Sequence, residues 1–514
     1  MRAALRLILL MQTLEAFAYY TLGNVLTLHL TSIYGVSDTA AGVHFGIRSA
    51  LTTVYATLFG PVIDWFGPFR MLPIAFALAA IGRAIFAQVD SLSLALAAIY
   101  LPMAAGHGLT NAAFIICIKR ITSSSTSPTR PPDTPWGFAL QYCALVLGIA
   151  ICGPTIDIVT ARWAPAPPYR ALAFLSAVCS VLGLGASLVL LPIAPPSPKM
   201  MHGRGSAASA AEAVQVALEA FAELRRTACT ARFARYTAFS IAILPGHSVL
   251  RNLDGGIFPK FMLRTFGPSV PKGSIYAINP LLDLLAVPLL SRQLAQVDHF
   301  PLVRLGLSIA AAAPLLLVAL PATLATVVAF VLILTAGDAL YNPRLSAYAM
   351  AVAPLGKEGA FAGLSAAVAF LAELPAGLLG GWLLDRYCSA ASYDAQDAQH
   401  DAQDAQHDAH DAQHDAQDAQ HDALDPHGCD ARGLFGSLGA FALLTPLALW
   451  VTPSLLREPL SDGPLAHTHT RGAPIGDDGC EASGFELTGA CDEVVGGGAS
   501  PVAEESQRLT GQDG

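Results

Sequence analysis

Twelve apolar stretches, each long enough to cross a lipid bilayer, leave this chain few ways to fold. About 20 mostly apolar residues span the hydrocarbon core as a helix, and in lipid a helix satisfies its own backbone polar groups. On that ruler the first half offers spans at 5–31, 42–61, 71–88, 92–118, 137–158 and 169–193. The second half offers 236–263, 274–290, 301–320, 322–345, 359–384 and 433–452. An all-α polytopic membrane protein with 12 transmembrane helices in two six-helix bundles is the expected class. Composition agrees: 54% of the 514 residues are hydrophobic and 13% charged, against roughly 25% charged in soluble domains.

The spans divide the chain into an N-terminal bundle (1–194), a central loop (195–234), a C-terminal bundle (235–452) and a polar, Gly-rich tail (453–514) expected to be disordered. In the central loop Val214, Ala217, Leu218, Phe221 and Leu224 recur at helical spacing opposite Glu212, Glu219 and Glu223. That pattern predicts an amphipathic helix lying against the membrane or the bundle. An N-terminal signal peptide ending near Ala16-Phe17-Ala18 is the rival reading of the first span. Glu15 beside the cut, and apolar character resuming to Leu30, favour a transmembrane helix.

Arg70, Lys119, Arg120, Arg225, Arg226 and Arg292 fall on one side of the membrane, with fewer bases opposite. The positive-inside rule then puts both termini in the cytoplasm. The segment 394–427 repeats Asp-Ala-Gln-His with slips and lies on the outer side. It reads as a disordered repeat loop, with weak divalent-metal binding as the alternative. Cys388 and Cys429 flank it and are placed to close its neck by a disulfide. The net charge of −9 comes largely from this insert and the tail, and no basic patch argues for nucleic acid. No nucleotide loop, His-Glu-x-x-His or nucleophile elbow occurs, which argues against an enzyme. No cofactor or metal is expected, the chain is expected to be monomeric, and its partners are a small-molecule substrate and the lipid bilayer.

A compact phrase joins spans 2 and 3: Gly60-Pro61-Val62-Ile63-Asp64-Trp65-Phe66-Gly67-Pro68-Phe69-Arg70. Gly60 and Gly67 permit close backbone approach, and Asp64 is placed to meet the dipole or a cation of a neighbouring helix. The phrase returns as Gly153-Pro154-Thr155-Ile156-Asp157 and as Gly380-Gly381-Trp382-Leu383-Leu384-Asp385, as expected of duplicated units.

An ionisable side chain at the bilayer centre costs at least ~2.5 kcal/mol, so each one needs a partner or a wet cavity. Glu15 lies near the middle of span 1, with Arg48 and Arg83 at similar depth as candidate partners. Arg251 and Asp254 sit in span 7 between Pro245-Gly246 and Gly255-Gly256, which predict a bent or broken helix. Asp283 follows Asn279-Pro280, Asp338 precedes Asn342-Pro343, and Glu373 precedes Pro375. Five acids at depth suit a cavity that takes and releases protons. His107 and Asn111, one turn apart, are candidates for hydrogen bonds to a solute or, for the histidine, to another helix.

Two six-span halves, the long central loop and the Gly60, Asp64, Gly67 turn resemble the major facilitator superfamily over about residues 5–452. Trp65 stands where that family's turn has an arginine, and its terminal bases are reduced to Arg70. Within the superfamily, Gln12-Thr13-Leu14-Glu15-Ala16-Phe17-Ala18-Tyr19-Tyr20 is similar to the Glu-x-x-Glu-Arg-Phe-x-Tyr-Tyr of the proton-coupled oligopeptide transporters. Asn279-Pro280-Leu281, and Asp338 with Pro343, Leu345 and Ser346, add to that likeness, while Asn111 falls near that family's span 4 lysine.

The resemblance implies alternating access with proton coupling and a gating contact at Asp64. Glu15 is the first candidate for the coupling carboxylate, with Asp283 and Asp338 as alternatives. Tyr19, Tyr20, Arg48, Arg83, Asn111, Arg251, Asp254, Asn279 and Glu373 are candidates for the solute site, the arginines for an anionic or zwitterionic solute. An uncoupled facilitator, a non-transporting sensor and an intramembrane enzyme are the rivals.

Overall fold

The computed structural model describes residues 2–123, 134–162, 168–193, 230–294, 297–352, 367–368, 370–388 and 429–453, with isolated positions at 218, 222 and 226. The central amphipathic helix, the repeat loop 394–427 and the tail lie outside the described residues, as do 359–366 of span 11.

Helices α1 (Arg2–Tyr34), α2 (Asp38–Phe66) and α3 (Pro68–Gln88) open the N-terminal bundle. Its fourth span is α4 (Leu92–Ala98), a π-turn at Ile99–Met103 and α5 (Ala104–Ser123). Pro102 inside that turn lacks the N–H an α-helix would use, which is a sufficient cause of the local widening. Helices α6 (Thr134–Arg162) and α7 (Pro168–Leu190) complete the half.

The C-terminal bundle begins with α8 (Ala231–Asp254) and α9 (Phe258–Phe266), one span broken at Gly255-Gly256 where the sequence predicts it. It continues with α10 (Lys272–Gln293), α11 (His299–Ala312), α12 (Leu315–Ala319) and α13 (Leu324–Val352). The half closes with α14 (Glu373–Tyr387), α15 (Ala431–Ala442) and α16 (Leu444–Val451). Among the described residues these helices make up twelve spans, six in each half. Among those residues seven helices are long and apolar enough to cross a membrane by length and hydropathy alone.

The helices are inside-out relative to a soluble bundle. On α7, Ser176, Ser180, Gly183 and Ser187 are buried, while Phe174, Val181, Leu182 and Leu188 are exposed. On α10, Leu281, Leu285 and Leu289 form an exposed stripe and Asn279, Asp283 and Val287 face inward. Lipid supplies no hydrophobic drive between helices, so small residues that admit close packing take the interfaces.

The turn between α2 and α3 is shorter than the sequence suggests. Helix α2 continues through Gly60 and Asp64 to Phe66, so Gly60 is helical rather than part of the turn. Gly67 alone makes the turn, with φ at 89°, and Arg70 already belongs to the first turn of α3, where it is exposed between buried Phe69 and Met71. The side chain of Asp64 lies outside the described residues.

The bundles meet along α2 with α14 and α6 with α10. A Cβ placed on Gly42 would sit 2.1 Å from the Gly377 carbonyl oxygen, and one on Gly153 2.1 Å from that of Gly273. Backbones touch there, and no other residue fits without moving a helix. Both contacts lie toward the end of the molecule that carries Tyr34, Asp38, Lys272 and Tyr387. The Cys388–Cys429 disulfide closes the same end, linking α14 to the start of α15.

Candidate solute and proton site

A layer of buried ions crosses the middle of the molecule. Glu15 is held by Arg83, at 2.7 Å to Oε1 and 2.8 Å to Oε2, and by His107 Nδ1 at 3.0 Å. Arg83 also donates to Ser180. Of the two partners foreseen for Glu15, the structure selects Arg83. His107 links α5 to α1, so it acts between helices, and its ring stacks on Tyr19 with centroids 3.7 Å apart.

Arg48 pairs instead with Glu373 of the other bundle, at 3.3 Å. Its guanidinium lies 4.5 Å from the Tyr19 ring centroid, and it donates to the Tyr19 hydroxyl at 3.1 Å. Ser49 donates to the same Glu373 carboxylate. Arg251 stands 3.9 Å from Glu373 and 2.7 Å from Asp254, with Tyr20 nearby. Tyr276 donates to Asp254 at 2.9 Å. Three acids and three arginines thus run as one chain of contacts, and Glu373 is the acid shared by both bundles.

A second cluster lies deeper in the C-terminal half. Asp283 of α10 and Asp338 of α13 are neighbours, with Tyr142 of α6 beside Asp283. Asn279 donates to Thr335 at 3.1 Å and also reaches Asp338. Asp254 pairs with Arg251 and stays apart from this cluster. Asn111 is half-buried on α5 and makes no side-chain hydrogen bond among the described residues. A small cavity beside the ion layer is lined by Tyr19, Leu22, Arg48, Thr52, Arg83, Met103 and Ala104.

The closed end carries its own ion cluster, absent from the sequence reading. Lys260 and Arg264 of α9 pair with Asp38 of α2 at 2.6 and 2.5 Å, and Arg264 also donates to the Cys388 carbonyl. Asp38 lies beyond the 42–61 span. Burial works against its charge, but the Arg264 hydrogen bond and the Lys260 charge hold its carboxyl below the ordinary value. The repeated Gly-x-x-x-Asp phrase completes the closure. Asp157 accepts from the Gly273 and Ser274 N–H groups at 2.8 and 2.7 Å, capping the start of α10. Asp385 accepts from the Thr39 N–H at 2.9 Å, capping the start of α2. No metal-binding group of three or more His, Cys, Asp or Glu occurs among the described residues.

Two six-helix bundles joined by a buried ionic layer define a membrane transporter. The sequence profile of the Major Facilitator Superfamily matches residues 8–372, and the chain belongs to that superfamily. Similar solved structures include a POT family transporter in complex with 5-aminolevulinic acid, with a TM-score of 0.63, 15% identity and coverage of 88% of this chain and 96% of that one. Another is a bacterial homologue of the human drug peptide transporters PepT1 and PepT2, with a TM-score of 0.60, 15% identity and coverage of 88% and 98%. Tetrameric PepTSo2 gives 0.61, 14%, 88% and 99%. These identities carry the fold and not the substrate. No curated protein matches in sequence.

Proposed function

We propose that this chain is a secondary active transporter that moves a small organic solute by alternating access, driven by protons. The observation that carries the reading is the Arg48–Glu373–Arg251 bridge, in which one buried carboxylate of α14 serves a guanidinium from each bundle. Leaving either arginine unpaired in the core costs roughly 3–5 kcal/mol. A solute carboxylate is the natural replacement for Glu373, because it pairs Arg48 and Arg251 as the glutamate swings away. The solute class is therefore an anion or zwitterion bearing a carboxylate, with Tyr19 and Tyr20 as its aromatic neighbours.

The backbone contacts at Gly42 and Gly153, the two aspartate caps and the Asp38 cluster support a state closed at one end. The Cys388–Cys429 bond favours an oxidising compartment at that end. Both termini then face the cytoplasm, and the state is closed to the outside. One chain supplies every group in the reading, which suits a monomer.

Counterflow in proteoliposomes tests the site. A panel of peptides, amino acids, organic anions and sugars, with the methyl ester of each acid, is exchanged by wild type, Arg48→Gln and Glu373→Gln. Exchange of free acids but not their esters, lost in Arg48→Gln, is the expected result. Exchange of esters and neutral sugars at the rate of acids would contradict it.

A further inference from the structure

We propose that Asp283 and Asp338 share a single proton and form the coupling site of the transporter, in place of Glu15. The proposal rests on the transport reading above and names the group that would couple it. Both residues are almost fully buried, at 3% and 2% exposure, and Oδ1 of each has no hydrogen-bond partner from the protein. Their carboxyl groups are neighbours, one turn along from the Asn279–Thr335 hydrogen bond that joins the same two helices at 3.1 Å. Two carboxylates are both acceptors and repel, so the contact holds only with a proton between them. One proton answers two orphaned acceptors.

Glu15 offers no such vacancy. Both of its oxygens accept from Arg83, and one also meets His107. A proton there would displace a bidentate ion pair, so Glu15 fixes the register of α1, α3 and α5.

The neighbours give the paired acids a route and a lever. On α13, Tyr341 lies beside Asp338 and stands 2.6 Å from His247 Nδ1 on α8, so polar groups line a path from Asp283 through Asp338 and Tyr341 to His247. From α6 in the opposite bundle, Tyr142 lies beside Asp283. Asn279 of α10 lies beside Asp338, Arg251 of α8 acts on it by charge, and Tyr20 of α1 is near Tyr142. Loss of the shared proton adds a negative charge in the field of Arg251. That charge competes with Glu373 and Asp254 for the guanidinium and so reaches the bridge between the bundles. Proton release and loosening of the solute site become one event.

Infrared spectroscopy of the full chain in liposomes reads this site with no solute present. Wild type should show a neutral-carboxyl band that is lost on raising the pH. The band should be missing in Asp283→Asn and in Asp338→Asn, and should survive in Glu15→Gln. Tyr142→Phe, a milder change, should keep the band and shift the pH at which it titrates. A band that persists in both aspartate variants, or disappears in Glu15→Gln, would overturn the assignment, as would a titration unmoved by Tyr142→Phe. Thermal unfolding of each variant identifies any that fail to fold. Failure of the transport reading would appear separately, as absent counterflow beside an intact band.

Discussion

Asp157 and Asp385, 228 residues apart, do the same work from opposite bundles: each ends a Gly-x-x-x-Asp phrase and caps the first turn of a helix in the other half. Within each phrase the glycine permits the close crossing, Gly153 on Gly273 and Gly381 on the backbone of Asp38 and Thr39. The aspartate four residues on then meets the exposed N–H groups and positive dipole of the partner helix. A cap of this kind is worth about 0.5–2 kcal/mol, so two of them weight the closed state at this end.

Asp157→Ala and Asp385→Ala, which remove the accepting oxygens, should each open the end that holds the disulfide by several-fold in population, and together by more. Electron–electron distance measurements between spin labels at the exposed Ser91 and Ser269 report it. A distance unchanged in the double variant would remove the caps from the gating account.

Enlarging a crossing glycine acts on the same equilibrium by steric means. A Cβ on Gly42 or Gly153 would meet a carbonyl oxygen at 2.1 Å, far inside contact distance. Gly42→Val and Gly153→Val should hold this end apart and abolish counterflow while the chain still folds. Retained exchange would mean that this tight crossing is not needed to close the end.

The Asp38 cluster should not be the pH sensor. Its carboxyl is held below the ordinary value, so its pairing is fully present above the usual carboxyl range and is lost only as pH falls through the lowered value. The widening caused by Asp38→Asn should therefore be equal at pH about 7 and about 5. If the variant and wild type converge at pH about 5, Asp38 has already been neutralised there.

Glu15→Gln should behave as a structural lesion. It leaves Arg83 buried without its ion partner, at a cost of roughly 3–5 kcal/mol, and should lower the unfolding temperature markedly. Conservation of that temperature with loss of proton coupling alone would restore Glu15 as the coupling carboxylate.

The spans were legible because bilayer thickness sets a length that apolar runs either meet or miss. The break at Gly255-Gly256 and the bond between Cys388 and Cys429 were legible for equally local reasons: helix breakers, and a cysteine pair outside the membrane. Depth along a helix placed Glu15 level with both Arg48 and Arg83 but says nothing of which helix lies beside which. The choice of Arg83, and the reach of Arg48 to Glu373, 325 residues away, belong to tertiary packing. Asp38 and Lys260 escaped notice because charges at span ends look like solvated ones. The echoes of the Gly60 to Arg70 phrase were visible, yet their shared role as caps at the far end from Asp64 required the helix crossings to be known.

Accumulation against a concentration gradient tests the central claim most directly. Proteoliposomes holding the wild-type chain are given a carboxylate-bearing solute from the counterflow panel, with and without an inward proton gradient. Uptake that overshoots equilibrium only with the gradient, and reduces to equilibration in Asp338→Asn, is the predicted result. Uptake that merely equilibrates in wild type, indifferent to the gradient, would contradict proton-driven transport and leave an uncoupled facilitator.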